Sequence, residues 1–221
     1  MRSILHDQLD TVLSDLAEIC SEVEEAVRQA TEALLTGDAS IAERVISSDV
    51  QIDLARERVE DNALAILSLQ APVASDLRVV VSALRMVSEL ERMGDLSVHV
   101  AKIARLRTPN CAVPPQAHDT ISRMAEVAES MVGRAAEVIR HRDLEAAIEL
   151  RDKDEEMDHL RRESFAQLLS EEWSGGVEAA VDVALLGRYY ERIADHAVSV
   201  ANRVVFIVTG ENPAALGTPE Q

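Results

Sequence analysis

A chain of 221 residues with 47% hydrophobic content is long enough to bury a sizeable core, as one large domain or two small ones. Only 2% is aromatic, and eight Gly and six Pro are all that punctuate it, which predicts an all-α fold of long helices with few turns. Forty acidic against 22 basic residues give a formal charge of -18, which argues against nucleic acid and anionic membrane surfaces and favours basic partners or bound cations.

From Leu5 to Leu35 apolar residues recur every three or four positions through Leu9, Leu16, Val23, Val27 and Leu34, the signature of an amphipathic helix. Gly37 ends it, and Asp38 or Ser40 supplies the oxygen that caps a second helix running to about Gln70. Pro72 breaks the chain, and Ser75 or Asp76 is expected to cap a third helix reaching about Arg107. Three prolines between Thr108 and Pro115 then mark a boundary. Helices four (about Gln116 to His141), five (about Leu144 to Glu172) and six (about Val177 to Thr209) follow. The expected division is a first three-helix bundle over 1–108, a second over 115–210 and a flexible tail over 211–221, which carries Pro213, Gly217 and Pro219. At 1.5 Å per residue, helices of roughly thirty residues are about 45 Å long, which suits elongated bundles joined end to end.

The two halves repeat each other. Glu91-Arg92-Met93-Gly94-Asp95 and Glu191-Arg192-Ile193-Ala194-Asp195 lie one hundred positions apart (191 − 91), and Val98, Val100 and Ala101 match Val198, Val200 and Ala201. One helix earlier, Asp154, Asp158 and Arg161 fall on Asp49, Asp53 and Arg56 at an offset of 105 (154 − 49). The five-residue drift is expected in the connection around Gly175-Gly176, tighter than the one from Gln70 to Asp76.

On a helical wheel these acids fall among apolar residues. Glu91 and Asp95 share a stripe with Leu77, Val80, Leu84, Val87 and Val98, with His99 on its edge. In helix two, Asp49, Asp53, Arg56 and Glu60 accompany Val45, Ile46, Ala63, Leu64 and Leu67. Helix five sets Asp154, Asp158 and Arg161 among Ala147, Leu150, Phe165, Leu168 and Leu169, and helix six repeats the pattern with Glu191, Asp195 and Asn202. Ionised carboxylates withdrawn from water cost several kcal/mol unless compensated, and one Arg per half cannot neutralise four of them. A water-filled groove held by Arg56 and Arg161 answers this; so do bound metal ions. Pairs at i and i+4 place two carboxylates one turn apart, so two facing helices present four around a point. All-oxygen sites favour magnesium, manganese or iron; a nitrogen from His99 tilts the first toward a transition metal.

Other features carry less. Cys20 and Cys111 suggest neither a disulfide nor a zinc finger, so a reducing cytosol is expected. Asp7 and Asp10 break any leader-peptide layout, and the apolar run Val204 to Val208 is far too short to span a membrane. Glu156 and His159 form an ExxH whose counterparts are Gln51 and Leu54, so no paired di-iron motif exists. Gly175-Gly176 lacks the Lys and Ser or Thr of a nucleotide loop, and Trp173, Tyr189 and Tyr190 are too few for a cofactor box. His196 reads as a helix-surface residue, and Arg78 as a local partner of Asp76.

The run Gln70-Ala71-Pro72-Val73-Ala74-Ser75-Asp76-Leu77-Arg78 leads into LERMGD at Leu90 to Asp95. Together with YERIADHA at Tyr190 to Ala197, it resembles the PhoU family of phosphate-signalling regulators, most of all its actinobacterial PhoY-like branch. The resemblance spans roughly Leu5 to Gly210 and implies two tandem three-helix bundles related by duplication. It implies multinuclear clusters of divalent or trivalent metal (iron, manganese, magnesium or zinc), the first on Asp49, Asp53, Glu91 and Asp95, the second on Asp154, Asp158, Glu191 and Asp195. Where the family often has Asn after the motif, this chain has His99 and Ser199, so the two sites are expected to differ. The resemblance also implies a cytoplasmic, non-enzymatic negative regulator of the phosphate-starvation response. Its expected partners are the ATPase of the high-affinity phosphate ABC transporter, the phosphate sensor histidine kinase and a second copy in a homodimer, with no nucleic acid and no membrane insertion. A di-metal hydrolase or oxidase is the alternative, and it lacks a general base distinct from the ligands. A purely structural bundle leaves the acids unexplained.

Overall fold

The computed structural model describes residues 2–211, with side chains from Ile4 onward. It contains six helices among these residues: α1 (Arg2–Thr36), α2 (Ala39–Gln70), α3 (Ser75–Arg107), α4 (Pro115–His141), α5 (Leu144–Leu168) and α6 (Gly176–Thr209). Beyond Glu211, the expected tail lies outside the described residues.

Local chemistry accounts for most of the boundaries. Gly37 takes φ 68° beyond the end of α1, and the Asp38 carboxylate accepts from the amides of Ser40 (2.8 Å) and Ile41 (3.2 Å), satisfying first-turn donors of α2. Asp143 does the same for α5 with Glu145 and Ala146. Pro115 occupies the first turn of α4, where a missing N–H costs nothing. At α3 the expected side-chain cap is absent: Ala74 holds the N-cap position at φ 49°, and Ser75 and Asp76 already lie inside the helix. Helix α5 ends at Leu168, four residues before the expected Glu172. The seven residues from 169 to 175 make its connection to α6 longer than the four from 71 to 74 between α2 and α3. The five-residue drift between the halves is therefore taken up by a shorter α5 and not by a tighter turn.

The bundles are packed side by side instead of end to end. Helices α1, α3, α4 and α6 form a central four-helix layer in which α1 packs on α3 and α4, and α6 on α3 and α4; α2 covers α1 and α3, and α5 covers α4 and α6. Central helices are therefore apolar on more than one face, as Leu16, Val23, Leu34, Met86, Leu90, Met131 and Leu186 show by their complete or near-complete burial. Antiparallel contacts stitch the halves along two seams. On the α1–α4 seam the Cys20 thiol donates to the Val132 carbonyl (3.2 Å) and Arg142 pairs with Asp10 (2.6 Å). Burial and the nearby Glu24 push the Cys20 thiol up to about 12, so it stays a protonated core residue.

On the α3–α6 seam Arg107 pairs with the buried Asp182 (2.6 Å) and with Glu178, His99 stacks on Tyr189 (ring centroids 5.4 Å apart), and Glu89 meets His196 (2.6 Å). His196 is thus a seam residue, 14% exposed at its side chain, and not a surface one. Arg78 does not pair with Asp76, because residues two apart face different sides of a helix. Its guanidinium instead lies against Gly210, where a Cβ would stand 3.4 Å from Cζ, and Asp76 faces His6 at 3.7 Å.

Candidate functional site

The repeated acids meet in two grooves, one between α2 and α3 and one between α5 and α6. Gly94 lets α2 and α3 approach closely: a Cβ there would sit 3.1 Å from Ile52 Cδ1 and 3.6 Å from Asp49 Oδ1. This brings Asp49 against the segment that carries Glu91 and Asp95.

The eight carboxylates lie at the rim of the core and not in its middle. Asp53, Asp95, Asp158 and Asp195 are exposed, Asp49, Glu91 and Asp154 half-buried, and only Glu191 is buried. Several residues expected on the apolar stripes also face solvent, among them Leu64, Leu77, Phe165 and Leu169. Leu64 and Phe165 lie on outer helices, which have only two neighbours, so a wheel drawn for full burial overstates their apolar face, while Leu77 and Leu169 sit at helix ends.

Even at the rim the charges act on each other. Burial holds the Asp49 carboxyl above its ordinary range, with Asp95, Asp53 and Glu91 adding to the effect and Lys102 opposing it. Burial and Asp95 likewise raise Glu91, against the pull of Arg56 and Arg92. In the second groove burial, then Asp195, Asp158 and Glu191, push Asp154 up to about 6. Each expected foursome is therefore assembled by the fold within mutual electrostatic reach.

The two foursomes are compensated differently. Glu191 is held at both oxygens, by Arg161 Nη1 (2.6 Å) and by Arg188. In the first groove the counterpart of Arg161 is Arg56, which turns to Glu60 (2.9 Å), and the counterpart of Arg188 is Ser88, so Glu91 forms no ion pair among the described residues. The sequence pattern puts the asymmetry at His99 and Ser199; the structure adds Arg188, three residues before Glu191, whose counterpart Ser88 carries no charge. His99 itself stacks on Tyr189 of α6.

Carboxylate oxygens that raise one another's pKa suit a hard cation, so the donor chemistry fits Mg²⁺, Mn²⁺ or iron. As folded, though, no group of three or more His, Cys, Asp or Glu among the described residues is arranged to hold a metal ion. Asp53 and Asp95, two of the expected ligands, are exposed. The groove between α1 and α2, about 590 Å³, is lined by Glu18, Glu22, Glu25 and Arg44, and none of the candidate ligands borders it. No helix among the described residues is long and apolar enough to cross a membrane.

Comparison with known proteins gives concordant results. The PhoU domain model matches the chain twice, over residues 16–104 and 121–204. The phosphate-specific transport system accessory protein PhoU homolog 2 of Mycobacterium tuberculosis is 46% identical over 213 residues, which cover 96% of this chain and 100% of that one. PhoU homolog 1 of Mycobacterium leprae is 46% identical over 96% of each chain. The crystal structure of PhoU from Pseudomonas aeruginosa superposes with a TM-score of 0.86 at 27% identity, covering 93% of this chain and 99% of that one.

Proposed function

This chain belongs to the PhoU family, and on that premise we propose that it is an accessory protein of a phosphate-specific transport system that restrains the phosphate-starvation response when phosphate is plentiful. The family is one of regulatory and accessory proteins and not of enzymes. The observation that carries the proposal is the 46% identity running the whole length of a protein so named. The protein acts in the cytoplasm as a homodimer, contacting the transporter ATPase and the phosphate sensor histidine kinase. Its surface supports that reading: long helices with a strong negative charge offer extended faces for basic partners.

Asp49, Asp53, Glu91 and Asp95, with His99 at the edge, would hold cations in the first groove; Asp154, Asp158, Asp195 and Glu191 would hold them in the second. A bound cation supplies the positive charge that the mutually repelling carboxylates lack. In the first groove the demand falls on Glu91, which forms no ion pair among the described residues, and in the second on Asp154, whose neighbours are all acidic.

Two experiments test the proposal. Deleting the gene, in a strain cleared of any paralogue, is expected to switch on phosphate-starvation genes in phosphate-rich medium; sustained repression refutes the regulatory role. Elemental analysis of the purified protein is expected to find bound metal that Asp95→Ala with Asp195→Ala releases. Unchanged metal content in that variant refutes the ligand assignment.

A further inference from the structure

The corner where α5 turns into α6 exposes more apolar surface than its neighbours require. Leu169 is 84% exposed, and Val177, Val181 and Leu185 are 82%, 52% and 41% exposed. The last three recur at i, i+4 and i+8 and so form one stripe along the first turns of α6. Beside it runs a groove of about 400 Å³ lined by Leu168, Trp173, Val177, Ala180, Val181 and Ala184. The Trp173 indole donates to the Gly176 carbonyl (3.0 Å), which fixes the ring as one wall of the groove.

The chain segment that builds this corner carries charge of one sign, and His159 reaches only its first member, Glu163. From Glu163 to Gly187 there is no Lys, Arg or His, while Glu163, Glu171, Glu172, Glu178 and Asp182 all fall within the stretch. Arg107 reaches in from α3 and takes Glu178 and Asp182. Glu171 and Glu172 are exposed and form no ion pair among the described residues. An apolar groove whose wall residue Trp173 is directly preceded by the exposed Glu171 and Glu172 suits a ligand of matching build, apolar on one side and basic at its edges. A second copy of this chain would bring the same acidic corner, and an anionic membrane would be repelled.

We infer that the Trp173 groove is the docking site for a basic amphipathic helix of a partner protein. The inference rests on the accessory role only in supposing that a partner exists. It assigns the surface, which that role leaves open.

Trp173 is the only tryptophan in the chain and lines the groove, so its fluorescence reports occupancy directly. The probes are a tryptophan-free 18-residue Lys/Leu peptide with helical amphipathic spacing, a scrambled peptide of the same composition, and a Glu/Leu counterpart, each titrated into the full-length protein with calorimetry in parallel. Saturable binding with a blue-shifted Trp173 signal is expected for the first alone. Val177→Asp, at a position too exposed to threaten folding, is expected to weaken it at least tenfold. That substitution adds a negative charge, so if the peptide were held merely by the protein's overall charge, its affinity would rise. Unchanged or tighter binding to Val177→Asp overturns the inference, as does equal binding of the scrambled peptide. It is overturned too if phosphatidylglycerol vesicles, or self-association of the protein, shift Trp173 as the peptide does. Neither phosphate nor the transporter enters this assay, so its failure leaves the regulatory proposal standing, and derepression on gene deletion tests that proposal separately.

Discussion

Replacing Asp154 by Asn is expected to stabilise the metal-free protein at neutral pH. The carboxyl is raised from 3.8 to about 6 by burial, with Asp195, Asp158 and Glu191 contributing. Between those values the native state keeps a proton that the unfolded chain has released. Stability therefore falls as pH climbs through this window, and the whole penalty is in place above about pH 6. At ~1.36 kcal/mol per pH unit a fully shielded carboxyl would carry about 3 kcal/mol. Asp154 is only half-buried, and solvent screening cuts this to roughly 1.5 kcal/mol.

Asn keeps the shape and removes the charge. In urea melts with EDTA, Asp154→Asn should exceed the native protein by about 1.5 kcal/mol at pH 7.5, and the gap should close as pH is lowered to 4. Equal or lower stability of the variant at pH 7.5, or a gap that ignores pH, would refute the reasoning. Repeating the melts with Mn²⁺ gives the opposite sign if the groove binds metal. A ligand present at a hundred times its dissociation constant stabilises by about 2.7 kcal/mol, which outweighs the repulsion and which the variant would forfeit.

Two more substitutions probe the ion pairs. Arg161→Gln leaves the buried Glu191 with Arg188 alone and should cost about 1–3 kcal/mol, whereas Arg56→Gln breaks a half-exposed pair with Glu60 and should cost under about 1 kcal/mol; equal losses in denaturation would contradict the unequal compensation of the two grooves. Glu89→Gln should cost about 1–2 kcal/mol at pH 7. The His196 hydrogen bond holds Glu89 below its ordinary 4.5, so this stabilisation is present above that value and lost as pH falls through the lower folded one; a cost unchanged at pH 3 would assign it to packing.

What the sequence made legible was what repeats or what acts locally. The ERMGD and ERIAD segments announced the duplication, and the 3.6-residue rhythm of Leu9, Leu16, Val23 and Leu34 announced α1. Asp38 announced its own cap because its side chain needs nothing beyond the next three residues. Lateral packing was hidden because it depends on which helix meets which. Nothing in α1 says that Cys20 will touch Val132, and nothing near Glu89 names His196, more than a hundred residues away. The α3 cap failed for a related reason. Ala74 is held at φ 49° by the turn as a whole, against its own preference, while Ser75 and Asp76 are better cap formers by type alone.

The same distinction explains why the two grooves differ despite matching acids. Duplication copied the carboxylates, but their compensation comes from residues that diverged. Position 188 is Arg where position 88 is Ser, so Glu191 is neutralised by its own helix and by α5, while Glu91 is left to the field of its neighbours. Glu89 lies two residues before Glu91, and His196 one residue after Asp195, so the Glu89–His196 pair joins the two carboxylate-bearing helices at the level of the clusters. A cation entering the first groove changes the potential on α3 within two residues of that pair. In the second groove the two guanidiniums take Glu191, and the repulsion rests on Asp154. Were the first groove to take up the proposed cation, α3–α6 would be the seam that joins it to the second repeat.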